Sequence, residues 1–120
     1  MITEIENLPK NIIGFTFTGR VTGNDYETIV FPAVKKLRKT SKELRLILEF
    51  GKKFNRLSLK AMLDDTFIGF KYLFSWKRIA IISDNETINH AVKAFSFLVR
   101  GELKIFHLSE REKAFEWIAK

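Results

Sequence analysis

Four strand-length apolar segments alternate along the chain with stretches whose apolar residues recur at helical spacing, and this alternation restricts the fold to helices packed on a largely parallel sheet. The first segment, Ile12 to Val21, puts Ile13, Phe15 and Phe17 on one face and Thr16 and Thr18 on the other, as a half-buried strand requires. The shorter Ile2 to Leu8 is expected to pair with it through a turn at Pro9, Lys10 and Asn11. Leu44 to Phe50 is a short apolar run closed by Gly51 and reads as a central strand. Trp76 to Ser83 and Leu103 to Leu108 complete the set.

Between these segments the period lengthens. From Asn24, with Asn24 or Thr22 as N-cap, Tyr26, Ile29, Val30, Ala33, Val34 and Leu37 share one helical stripe. Pro32 falls inside that pattern and predicts a bend or a later helix start. Leu57 to Phe74 is expected to be helical, with Leu59, Leu63, Phe67, Phe70 and Phe74 on one third of the wheel and Asp64, Asp65, Ile68 and Tyr72 roughly opposite. Asp84 is expected to cap a helix that reaches about Val99 and stops at Gly101. It buries Ile88, Ala91, Val92, Phe95 and Val99 and turns His90, Lys93 and Phe97 away. Ser109 and Glu112 have capping-box spacing ahead of a last helix carrying Ala114, Phe115 and Ile118. The order β-β-α-β-α-β-α-β-α predicts an α/β fold: a mixed, mostly parallel five-stranded sheet with one antiparallel edge strand and about four helices. Right-handed crossovers are expected to place those helices on both faces. At 120 residues, positions 1–120 match the size of one domain.

Several chemistries lack their raw material. There is no cysteine and there are only two histidines, so a zinc site is not expected. The start, Met-Ile-Thr-Glu-Ile-Glu-Asn, is acidic where a signal peptide is basic, and no apolar run has the length of a membrane span; a cytoplasmic location is expected. Asp64 and Asp65 are adjacent and diverge by about 100° on a helix, so they cannot face each other as a carboxylate pair. His90 and Glu86 form a helix-surface pair, and neither His90 nor His107 has a nucleophile at readable spacing. The glycines never form a phosphate-binding loop. Neither catalysis nor a cofactor is expected.

Three segments carry a resemblance over nearly the whole chain: Gly-Arg-Val-Thr-Gly-Asn-Asp-Tyr-Glu at 19–27, Trp-Lys-Arg-Ile-Ala-Ile-Ile-Ser-Asp at 76–84, and the closing stretch at 102–118 with Phe106, Glu110, Ala114, Trp117 and Ile118. With these the chain resembles the SpoIIAA-like family and so implies a STAS-like fold. In STAS relatives that act as anti-anti-sigma factors, the strand matching Leu44 to Phe50 leads to an Asp-Ser-Ser-Gly-type loop whose serine is phosphorylated. Here residues 51–58 read Gly-Lys-Lys-Phe-Asn-Arg-Leu-Ser, and Ser58 has basic neighbours and the position of a helix cap. Regulation by phosphorylation is therefore not expected. The resemblance implies instead a carrier or sensor of an apolar, lipid-like ligand, or a membrane-associating protein, because the family is similar both to STAS and to lipid-binding CRAL-TRIO domains. It also implies a homodimer.

Two surface features fit these implications. Twelve phenylalanines exceed what a core of this size needs. Phe67, Phe70 and Phe95 lie on core stripes, whereas Ile68, Tyr72 and Phe97 lie off them and are exposed, line a groove between helices or meet a partner chain. Phe67, Ile68, Lys71, Tyr72, Lys93 and Phe97 are the candidate site for an apolar small molecule or an anionic membrane surface. The second feature is charge. Of a net +7, the stretch from Lys35 to Lys60 holds ten basic residues against two acidic ones, so the rest of the chain is nearly neutral. Lys35, Lys36, Lys39, Lys52, Lys53 and Arg56 are the candidate patch for an anionic partner, or else a solvated face that maintains solubility. Nucleic acid ranks below anionic lipid, because no recognition motif accompanies the charge. The runner-up expectation is a STAS-type interaction or regulatory domain, in which the off-stripe residues close a homodimer and the basic patch docks an acidic partner.

Overall fold

The computed structural model describes residues 1–40, 43–54, 76–98 and 101–120. The expected helix from Leu57 to Phe74 lies outside them. Strands β1 (Ile2–Glu4), β2 (Ile12–Phe17), β3 (Leu44–Phe50), β4 (Trp76–Ile82) and β5 (Glu102–Phe106) form one sheet in the order β1-β2-β3-β4-β5. β1 runs antiparallel to β2, with Ile2 opposite Phe17, and the other pairings are parallel. The mixed, mostly parallel five-stranded sheet with an antiparallel edge is the α/β architecture that the alternating pattern predicts.

The strands end where the backbone turns. β1 is shorter than Ile2 to Leu8 because Asn7 adopts a left-handed conformation (φ 63°) that swings the chain off the ladder. The Pro9 to Asn11 turn is closed by the Ile12 amide donating to the Pro9 carbonyl at 3.0 Å. β2 stops short of Val21 because Gly19, at φ 58°, turns the chain and donates its N–H to the Lys53 carbonyl.

The segment after β2 is helical from Gly23 to Arg38, but in three pieces: α1 (Gly23–Asp25), a π-turn (Tyr26–Val30) and α2 (Phe31–Arg38). Thr22 is the cap. Its amide donates to the Asp25 carboxylate at 2.9 Å, and its hydroxyl accepts from the Asp25 amide at 3.3 Å. The π-turn is the form that the bend predicted at Pro32 takes. A regular helix would press the proline ring against the Thr28 carbonyl and leave that oxygen without a donor. Widening the preceding turn relieves the clash and puts Pro32 in the first turn of α2, where no N–H is needed.

The next helix, α3 (Glu86–Phe95), continues as a 3₁₀ turn (Ser96–Leu98). Its cap is Asn85 and not Asp84: the Asn85 side chain accepts from the Ile88 amide at 3.2 Å, while the Asp84 carboxylate is taken up elsewhere. The last helix, α4 (Arg111–Ala119), is preceded by a 3₁₀ turn (Leu108–Glu110). Its start is tied at His107 and Glu110, two residues before the expected Ser109 and Glu112, with the Glu110 carboxylate accepting from the His107 amide at 3.0 Å.

The sheet separates two apolar layers. Ile13, Phe15, Phe17, Leu46, Phe50, Ile79 and Ile81 face the α1–α2 segment, through Ile29, Val30, Ala33, Val34 and Leu37, and α3, through Ile88 and Val92. Phe17 stacks on Phe50 with ring centroids 4.8 Å apart, and Phe54 meets Phe50 edge-on at 5.2 Å. On the other side Ile12, Ile47, Ala80, Ile82 and Phe106 pack against Ala114 and Ile118 of α4, with Ile5 and Leu8 of the β1–β2 connection alongside. Helices thus cover both faces, but not by the expected route. With β2 to β5 in sequential order, crossovers of one hand step in one direction and place their helices on the same face, as α2 and α3 are. The opposite face is closed by α4, which connects no strands.

Candidate functional site

The inner stripe of α3 is fixed by buried Ile88 and half-buried Val92, which leaves His90, Lys93 and Phe97 on the outside. Phe97 is 78% exposed, and among the described residues the only other large apolar side chain so placed is Met1. Lys93, one helical turn before Phe97, is exposed as well, and the Ser96 hydroxyl donates to the Lys93 carbonyl at 2.8 Å where α3 passes into the 3₁₀ turn. The structure therefore brings Lys93 and Phe97 together on one outer stripe. The other members of that candidate site, Phe67, Ile68, Lys71 and Tyr72, lie outside the described residues.

The basic run from Lys35 to Lys60 does not form one patch among the described residues. Lys35, Lys36 and Lys39 sit at the end of α2, which runs against the strands and delivers the chain to the start of β3. Lys52 and Lys53 sit in the turn that follows β3. Seven residues of strand separate the two clusters, a distance of about 20 Å at about 3.3 Å per residue. Arg56 lies outside the described residues. Two further cations of the run face inward: Arg38 sets its guanidinium over the Trp76 ring at 5.9 Å, and Arg45 is only 7% exposed.

Arg45 reveals an arrangement that sequence reasoning missed. Its Nη1 donates to the Ile118 carbonyl at 2.6 Å, and Arg78 Nη1 donates to the Trp117 carbonyl at 2.8 Å. Arg78 also lies over the Trp117 ring at 5.0 Å and pairs with Glu102 at 3.4 Å. Two strand arginines thus supply donors to the carbonyls at the end of α4, where a helix lacks its own and carries partial negative charge. At the other end of α4, Arg111 donates to Glu49 at 2.7 Å, and the Thr16 hydroxyl donates to the same carboxylate at 3.0 Å.

The carboxyl ends of the strands, where open α/β sheets commonly hold ligands, carry a second polar group. Asp84 accepts from the Leu108 amide and lies within hydrogen-bond distance of His107 Nδ1, both at 3.1 Å. Glu110, accepting from the His107 amide and near Lys113, is held below the usual carboxylate range, mainly by that amide hydrogen bond. Ser83 is buried and its hydroxyl accepts from the Asn85 amide at 3.0 Å. These groups satisfy one another and fasten the β4–α3 turn to the start of α4. The sequence signal for them was only that polar residues follow β4 and β5 directly. Among the described residues no group of three or more histidine, aspartate or glutamate side chains is placed to hold a metal, and no helix is long and apolar enough to cross a membrane.

With this geometry in view, a family model described as SpoIIAA-like matches residues 12–119. Among solved structures, the crystal structure of a protein from the DUF3478 family with a SpoIIAA-like fold, from Shewanella loihica PV-4, superposes with a TM-score of 0.66 at 20% identity. The match covers 98% of this chain and 93% of that one. No curated protein matches the chain significantly.

Proposed function

The chain belongs to the SpoIIAA-like family, and on that premise we propose that it is a non-enzymatic binding domain that associates reversibly with an anionic membrane surface or a lipid-like apolar ligand through the outer end of α3. The carrying observation is Phe97, 78% exposed and one helical turn from exposed Lys93. An aromatic ring enters the boundary between headgroups and acyl chains, and a neighbouring ammonium meets phosphate there. Each such lysine contributes about 1 kcal/mol, so the binding is weak, sensitive to salt and peripheral to the membrane.

Sedimentation with phosphatidylserine-containing vesicles tests this reading. At low salt the protein pellets with them and not with neutral phosphatidylcholine vesicles. Phe97→Ser and Lys93→Glu each weaken pelleting about five- to tenfold, a loss of about 1–1.4 kcal/mol. A protein that stays in the supernatant with every vesicle composition overturns the proposal. The exposed lysines at either end of β3 favour a second reading, that of an interaction domain docking an acidic partner.

A further inference from the structure

Strand β5 closes one side of the sheet, and among the described residues no strand pairs with its outer edge. We infer that this edge is a homodimer interface, on which β5 of a second copy pairs antiparallel about a two-fold axis at Leu103.

The direction of the backbone groups follows from one hydrogen bond. The Phe106 carbonyl accepts from the Ser83 amide, so Phe106 turns its backbone groups toward β4. Alternation then turns those of Lys104 and Glu102 inward as well, and leaves those of Leu103 and Ile105 pointing out. In an added antiparallel strand, outward-facing residues oppose outward-facing ones as hydrogen-bonded pairs and inward-facing residues oppose inward-facing ones as the closer pairs between them, which limits a symmetric pairing to a few registers.

Charge selects among them. Glu102 and Lys104 are exposed and stand on the same face of the sheet, in register with Arg78 and Ala80 of β4. Pairing centred on Leu103 sets Glu102 of each copy opposite Lys104 of the other, giving two reciprocal ion pairs at the closely spaced positions of the ladder. Moving the centre to Lys104 sets the two lysines against each other. Moving it to Ile105 sets Lys104 opposite Phe106 and leaves Glu102, paired with Arg78 of its own sheet, without a cation across the axis. The edge therefore complements itself in one register.

β5 also lacks several devices that keep sheet edges apart. It has no proline, and its register with β4 runs unbroken from Glu102 to Phe106. Its one lysine, Lys104, lies with Nζ 5.2 Å from the Phe106 ring centroid, on the face where Glu102 of the second copy would meet it. The interface contains neither Lys93 nor Phe97, so vesicle binding and dimerisation can fail separately.

Sedimentation velocity across a micromolar concentration series is the test. The wild-type protein sediments as a dimer. Lys104→Glu and Glu102→Lys each weaken dimerisation about tenfold or more, since each converts two attractive cross-strand pairs into repulsive ones. The double variant recovers to within about threefold of wild type, because the swap restores opposite charges across the axis. Thermal melts of each variant separate loss of the dimer from loss of the fold. Hydrogen exchange reads the backbone without any substitution: the Leu103 and Ile105 amides slow as concentration rises, whereas the Lys104 amide is protected at every concentration. A wild-type monomer throughout the series, or a dimer indifferent to both charge reversals with no concentration dependence at Leu103 and Ile105, overturns the inference.

Discussion

Arg45 is a buried cation near the start of an apolar strand, and a helix ends beside it. The last carbonyls of α4 have no donor within the helix, and at Ile118 they lie under the sheet, away from water. The Arg45 guanidinium supplies the missing donor while meeting the negative end of the helix. Arg45 Nε has no partner among the described residues, so this guanidinium relies on the helix end for its compensation. Arg45→Met keeps most of the stem's packing but strands the Ile118 carbonyl, and it is expected to lower unfolding free energy by about 2 kcal/mol. Arg78→Met, at a partly exposed position, is expected to cost about half as much. Urea unfolding of both variants decides the matter, and equal losses would show that burial is not what sets the cost.

At the scale of elements, Gly101 has a role that helical spacing did not show. α3 ends at Phe95 with Ser96 as its cap, short of the expected Val99, so the glycine is not what stops the helix. In the structure a side chain at Gly101 would overlap the Lys77 carbonyl and come within 2.5 Å of that of Trp76, so the glycine lets the start of β5 lie against β4. Gly101→Ala is expected to destabilise the protein by about 2 kcal/mol or more, with the Lys104 and Phe106 amides losing exchange protection first. A melt within a degree of wild type would contradict this. The same division between local and distant causes explains what the sequence disclosed. β3 has the predicted bounds and β4 ends one residue early, because strands in the middle of a parallel sheet read as nearly continuous apolar runs. Phe97 could be placed on the outside of α3 from helical period alone. The choice of Asn85 over Asp84 as cap could not be read, because what removes Asp84 is the Leu108 amide, brought in from beyond β5. The arginines under α4 were likewise unreadable until the sheet order was known.

For the molecule as a whole, the decisive property is that β3 divides the basic run into two clusters about 20 Å apart, in a molecule whose longest extent is 34 Å. A small acidic ligand can occupy one cluster, and only an extended polyanion can span both. With polyglutamate as the probe, Lys35→Gln with Lys36→Gln and Lys52→Gln with Lys53→Gln are each expected to cost about 0.5–2 kcal/mol of binding. The quadruple variant should lose the sum to within about 0.5 kcal/mol, because the clusters stand well apart and meet different carboxylates of the probe. Calorimetry showing that either pair alone abolishes binding would refute independent clusters. Strand order also has a consequence in time. Because spatial order repeats chain order from β1 to β5, each strand leaving the ribosome finds its neighbour already at the growing margin, and none must wedge between two that have paired. One margin is always β1, and the other is always the strand most recently made. Assembly between chains through β5 therefore has to wait until that strand has docked, which makes it an event of the finished sheet and not of the nascent chain.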